Sequence, residues 1–125
     1  MIVKNEEQVL SRCLDSLVGL MDEIIIVDTG SCDRTREIAA RYTDKIYDYI
    51  WKDDFADARN FAFSKASMEY IYTADADEVL DNENREQFRL LKEAMVPEVE
   101  IVQMKYVTKN EFNTVLNFKE EYRPK

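Results

Sequence analysis

The chain has 125 residues, 46% of them hydrophobic, which is enough apolar content for one folded domain with a core of its own. Its net charge of −9 disfavours nonspecific nucleic-acid binding, which depends on Lys and Arg neutralising phosphates. No apolar run approaches the roughly 18 residues of a membrane span, and the N-terminus lacks a basic region followed by an apolar secretory segment, so the expectation is a cytoplasmic protein.

Met1-Ile2-Val3 reads as a short strand, clipped relative to the usual five or so residues. From Glu6 to Leu20, the apolar residues Val9, Leu10, Cys13, Leu14, Leu17 and Val18 follow helical spacing, and Gly19 marks the end. Glu23–Val27 holds a β-branched run of the kind found in a parallel strand covered on both faces, and it stops at Asp28-Thr29-Gly30-Ser31. A helix is expected from Asp33-Arg34-Thr35 to about Arg41, capped by Ser31 or Asp33. Lys45–Trp51 reads as a strand and Phe55–Ser67 as a helix through Phe55, Ala58, Ala62 and Ala66. Glu69–Thr73 reads as a strand leading into an acidic loop, and Asp81 as the cap of a helix from Asn82 to Met95. Past Pro97, Glu100–Val107 is expected to be a strand, while Glu111–Lys125 is weakly patterned and could be an unfinished element. This alternation of strand and helix predicts an α/β fold with a mainly parallel sheet flanked by helices. Cys13 and Cys32, with no His in the chain, make neither a disulfide framework nor a zinc site and are expected to be free thiols.

The stretch Asp75-Ala76-Asp77-Glu78 carries the most chemistry. Side chains two apart on an extended chain share a face, so Asp75 and Asp77 would project together with Cα atoms roughly 6.6 Å apart. In open α/β sheets ligands bind outside the carboxyl ends of the strands. Mg²⁺ or Mn²⁺ would be held there by carboxylate oxygens together with substrate phosphates. A phosphate could not approach such acid unaided, because like charges about 4 Å apart cost on the order of 4 kcal/mol at an effective dielectric of 20. An acidic loop that merely solvates a strand end is the plain alternative. Three other strand-end loops carry polar residues in phase with this one: Lys4-Asn5-Glu6, Asp28-Thr29-Gly30-Ser31-Cys32-Asp33, and Asp57-Ala58-Arg59-Asn60.

These four segments, in this order and spacing, resemble the inverting, metal-dependent glycosyltransferases of family 2, whose GT-A fold is a Rossmann-like sheet binding a nucleotide-sugar. The resemblance implies that Asn5, Glu6, Asp28, Thr29, Gly30, Ser31 and Asp33 line a nucleoside diphosphate, with uridine the expected base. Many members carry a second Asp where this chain has Thr29. By the same resemblance Arg59 and Asn60 face the nucleotide, Asp77 meets the metal, and Asp75 lies toward the ribose or a metal-bound water, with a share in the metal. Glu78 is read as a helix-start acid. The tight-turn reading of Asp28–Ser31 stands beside this, with Gly30 at positive φ and Ser31 as a cap, as does a surface Arg59 paired with Asp57 or Asp53.

The implied reaction moves a sugar from a UDP-sugar to an unknown acceptor, and no residue is assigned as its general base. The chain is expected to be the donor-binding portion of a truncated GT-A domain, without the acceptor half. Two other readings stay open. Asp75 could be the nucleophile of a haloacid-dehalogenase-type phosphatase, or the chain could be a noncatalytic nucleotide-sugar-binding module. Tyr47, Tyr49, Trp51, Tyr106 and Phe112 are read mainly as packing residues, with a homo-oligomer surface as the alternative for those left exposed.

Overall fold

The computed structural model describes residues 1–68 and 70–94 in full, and residues 101–107 and 115–121 as backbone strands. In chain order the elements are β1 (Ile2–Val3), α1 (Leu10–Leu17), β2 (Ile26–Asp28), α2 (Thr35–Ala39), β3 (Ile46–Asp48), α3 (Phe55–Lys65), α4 (Asn82–Ala94), β4 (Ile101–Val107) and β5 (Val115–Glu121). The strands β1, β2 and β3 form a parallel sheet in that order, with Val3 opposite Asp28 and Asp28 opposite Asp48. This register brings the carboxyl ends of all three to one rim.

Alternation along the strands decides which helix covers which face. Val3, Ile24, Ile26 and Ile46 pack with Leu10 and Leu14 of α1 and with Ile38 and Ala39 of α2. Their neighbours Ile2, Ile25 and Val27 pack on the other side with Ala58, Ala62 and Phe61 of α3 and with Tyr49. A sheet covered on both faces is expected from the unbroken Ile24-Ile25-Ile26-Val27 run, and it is present, although the strand itself starts at Ile26 rather than Glu23 and takes in Asp28, which the sequence places in the following loop. No described helix is long and apolar enough to cross a membrane.

Several expected elements differ in extent. The first helix starts at Leu10 rather than Glu6, because Glu6–Val9 form a turn in which the amides of Val9 and Leu10 donate to the Glu6 carbonyl at 3.1 and 2.9 Å. It ends as expected before Gly19, whose φ is +85°. The strand placed over Lys45–Trp51 stops at Asp48, and the chain then turns through Asp53 at φ +56° into α3, capped by Asp54, whose side chain accepts from the Asp57 amide.

The strand expected over Glu69–Thr73 is not found in residues 70–73, and Glu69 lies outside the described residues. The adjacent β1 has only two ladder residues to offer a neighbour. What holds the following segment is packing on α1, described below. The ends Met95 and Glu100 also lie outside the described residues, as do residues 111–114 and 122–125 of the weakly patterned tail. Within that tail, Val115–Glu121 is a full strand, antiparallel to Ile101–Val107 with Val107 opposite Val115. Only Leu116-Asn117-Phe118-Lys119 alternates, and Glu120 falls on the face of Leu116 and Phe118, so the period is too short to announce the strand.

Candidate functional site at the carboxyl rim of the sheet

The loops after β1 and β2 are knitted into one unit. The Asn5 amide donates to Ser31 Oγ at 2.9 Å, and Asn5 Oδ1 accepts from the Cys32 amide at 2.7 Å. The Glu6 amide donates to Thr35 Oγ1 at 2.8 Å, the Glu7 amide to Asp33 at 3.3 Å, and the Arg34 amide back to Glu7 at 3.2 Å. Asn5 holds φ +52° to make this exchange, a conformation that Asn tolerates better than most residues. Asp33 Oδ1 accepts from both the amide and the hydroxyl of Thr35. Burial works against its charge, but these bonds and that of Glu7 outweigh it and hold the carboxyl below its usual range.

Asp28 closes β2 and is only 2% exposed. Its carboxylate accepts from the Ser31 amide at 3.2 Å and from the Ser31 hydroxyl, so the loop folds over it as an Asx-type turn with Gly30 at φ +107°. The expected positive φ at Gly30 is therefore present. Ser31, however, binds Asp28 and Asn5 rather than capping α2, where Asp33 receives the Thr35 amide. Thr29 is turned into the sheet, and both its amide and its hydroxyl donate to the Val3 carbonyl at 3.0 and 3.1 Å.

In the acidic segment, exposure alternates. Ala74 and Ala76 are buried, while Asp75 and Asp77 are exposed. Ala76 joins the cluster of Val3, Leu10 and Leu14, and Ala74 joins Cys13 and Leu17. Both carboxylates are thus left to solvent on either side of buried Ala76, and the backbone there is a turn rather than the strand end that the sequence predicts. Glu78 is not a helix-start acid. Its amide donates to the Asp75 carbonyl at 3.0 Å, and its carboxylate accepts from the Asp75 amide at 2.6 Å, closing the turn. Burial, with the nearby Asp75 and Asp77 charges, raises its pKa despite that bond. Asp81 does cap α4 as expected, accepting from the Asn84 amide at 2.8 Å.

Arg59 and Asn60 are exposed on the first half of α3. The Arg59 guanidinium lies over the Phe55 ring, 5.0 Å from its centroid, and forms no ion pair among the described residues. Asp57, one alternative partner for it, instead accepts from the Tyr49 hydroxyl and lies 3.8 Å from Lys52. That bond, with burial behind it, pushes the Tyr49 phenol up to about 12. Tyr49 is core, Trp51 is exposed beside Phe55, and the side chains of Tyr106 and Phe112 lie outside the described residues.

Several residues that build the site were not singled out from sequence. Cys13 Sγ lies 3.6 Å from the Asp75 carbonyl. Burial above all, then the carboxylates of Glu78, Asp77 and Asp75, push its thiol up to about 11, so it stays a protonated donor at neutral pH. Ser16 Oγ accepts from the Leu80 amide at 3.1 Å. Glu23 accepts from Lys45 and from both donors of Ser67. A polar residue on the apolar stripe of α1 was the one signal that could have marked Ser16.

Residues 1–123 match the profile described as Glycosyl transferase family 2. A TPR repeat-containing protein of Synechococcus elongatus is 46% identical over 80 residues, covering 64% of this chain and 20% of that protein. The SPbeta prophage-derived glycosyltransferase SunS of Bacillus subtilis is 38% identical over 86 residues, 67% of this chain and 20% of that one. The lipopolysaccharide core biosynthesis glycosyltransferase LpsC of Rhizobium meliloti is 36% identical over 107 residues, 81% of this chain and 37% of that one. The chain therefore spans between 20% and 37% of the length of these curated relatives. The family match decides against the phosphatase reading of Asp75.

Proposed function

Because the chain belongs to glycosyl transferase family 2, we propose that it is the donor-binding portion of an inverting transferase that moves a sugar from a nucleoside diphosphate, expected to be UDP, to an acceptor nucleophile. The single observation that supports this best is the exposure of Asp75 and Asp77 beside buried Ala74 and Ala76, which pack on the same core as the interlocked polar loops. Within this reading Asp77 faces a divalent cation and Asp75 faces the ribose or a water on that cation. Asp28, Asn5, Glu6 and the Gly30–Asp33 loop would line the nucleoside, with Thr29 holding that loop to the sheet, and Arg59 and Asn60 would reach the base or the phosphates.

The donor set suits a hard cation. It consists of carboxylate oxygens with no His, and among the described residues no group of three or more Cys, Asp or Glu side chains stands ready for a metal. Such a site fits Mg²⁺ or Mn²⁺, which take one or two carboxylates and complete their shell with phosphate and water. When bound, the cation supplies positive charge to the departing diphosphate. The chain's own residues would bind and orient the donor. The base that deprotonates the acceptor is assigned to no residue of this chain.

Calorimetric titration of UDP, with and without Mn²⁺, tests the reading. UDP binding that requires Mn²⁺ and disappears in Asp77→Ala, with the circular dichroism spectrum unchanged, is the expected result. Binding indifferent to metal, or retained in Asp77→Ala, would overturn it, and parallel titrations with GDP and several UDP-sugars fix the base.

A further inference from the structure

The acidic turn sits outside the three-stranded sheet, yet its carboxylates must hold a fixed distance from the Asn5 and Asp28 loops if all are to touch one ligand. Helix α1 is the element that reaches both. Its leading turn, Glu6–Val9, is bonded into the β2 loop. Its buried face, from Leu10 to Leu17, makes three contacts with the acidic turn, beside the packing of Ala76 on Val3 of β1. Cys13 Sγ meets the Asp75 carbonyl at the entry, Ala76 packs against Leu10 and Leu14 in the middle, and Ser16 Oγ accepts from the Leu80 amide at the exit.

Ser16 is the hub of this arrangement. It is buried, its hydroxyl donates to the Cys13 carbonyl at 2.6 Å, and that bond leaves its lone pairs for Leu80. Its carbonyl accepts from Arg85 of α4 at 2.5 Å, and the same guanidinium donates to the Val18 carbonyl at 2.9 Å. The exit of the acidic turn, through Leu80 and through α4, is thereby referred to one residue of α1.

We infer that Ser16 is a positioning residue for the Asp75–Asp77 turn, setting its place relative to the nucleotide loops through the Leu80 amide. The inference rests on the proposed role of Asp77, and its function is geometric, since Ser16 is not placed on the ligand. Removal of the hydroxyl leaves the partly buried Leu80 amide without its partner, and a net hydrogen bond is worth about 0.5–1.5 kcal/mol, or roughly two- to tenfold in an equilibrium constant.

The experiment compares Ser16→Ala with Ser16→Thr, which keeps the hydroxyl, and with Ser11→Ala. Ser11 lies on the same helix but shares its hydroxyl with Tyr42 at 3.0 Å. In Ser16→Ala the Leu80 amide should exchange with deuterium roughly two- to tenfold faster, and the UDP dissociation constant in Mn²⁺ should rise by a similar factor. Ser16→Thr should recover both readouts, and Ser11→Ala should change neither. Unchanged Leu80 exchange in Ser16→Ala overturns the anchor. Equal loss in Ser11→Ala overturns it as well, because helix destabilisation would then suffice. Normal Mn²⁺-dependent UDP binding in Ser16→Ala, alongside its loss in Asp77→Ala, overturns the positioning role alone. If Asp77→Ala binds UDP like the parent, the proposed function falls and Leu80 exchange still decides the anchor.

Discussion

Glu23 gives the sharpest test of how the parallel sheet is tied to the chain that leads into the acidic turn. Its carboxylate is only 5% exposed and accepts from Lys45 Nζ at 2.5 Å, the Ser67 amide at 2.8 Å and the Ser67 hydroxyl at 2.5 Å. It thus joins the approach to β2, the approach to β3 and the exit of α3. Burial alone would raise its pKa, but the bonds from Lys45 and Ser67 outweigh burial and bring it from an ordinary 4.5 down to about 2. At 1.36 kcal/mol per pKa unit this shift corresponds to ~3 kcal/mol, and screening at the half-exposed Lys45 reduces it to about 1.5–2 kcal/mol. A depressed carboxyl stabilises the fold fully above its unfolded value near 4.5, and the contribution fades as pH falls toward 2. Glu23→Gln keeps the shape and removes the charge. Urea denaturation at pH 7 should show the variant less stable by about 1.5–2 kcal/mol, and the gap between variant and parent should shrink by more than half by about pH 3. A gap that does not depend on pH, or none at pH 7, would refute the reasoning.

Two further substitutions test the framework around the site. Leu14→Ala opens a cavity at a fully buried position in contact with the Ala76 cluster, and urea denaturation should report a loss of about 2–5 kcal/mol. Gly30→Ala meets no atom within 4 Å of the added Cβ, so its cost is backbone strain alone at φ +107°, and a lowered thermal midpoint corresponding to about 1–2 kcal/mol is expected. An unchanged midpoint would mean that the Asp28–Ser31 turn does not need its positive φ.

The parts of this chain most legible in its sequence are those where burial imposes a period. Ile24 to Val27 announced a strand covered on both faces, and Leu10, Cys13, Leu14 and Leu17 announced the stripe of α1. Gly19 and Asp81 marked helix ends through backbone chemistry that few other residues satisfy. What was not legible depended on contacts between residues far apart in the chain. Thr29 reads like a loop residue facing a ligand, but its hydroxyl is drawn to the Val3 carbonyl across the sheet, a partner 26 positions away. Arg59 was weighed against Asp57 and Asp53 as ion-pair partners, whereas a Tyr49 hydroxyl claims Asp57 and the Phe55 ring lies under the guanidinium. Residues 70–73 form no strand because apolar composition marks burial without naming the surface that does the burying. Here that surface is α1.

The alternation of exposure in residues 74–77 has a different origin from the one its two-residue period suggests, which is a strand with both acids on one face. In the structure the period comes from Ala74 and Ala76, which are small enough to let the backbone lie close against α1 and which turn their neighbours to solvent. A larger residue at either position would push the turn off the helix and separate Cys13 from Asp75 and Ser16 from Leu80 together. Orientation of the acid pair is therefore a consequence of core packing. The same logic extends to the loops after β1 and β2 at this rim, where Asn5, Ser31, Asp33 and Thr35 spend their hydrogen bonds within the loops themselves. Loops joined in this way are ordered before any ligand arrives, so binding has less conformational entropy to overcome. Under the proposed function, selectivity would then fall to exposed groups of the site, Asp75, Asp77, Asn60 and the face of Arg59 among them.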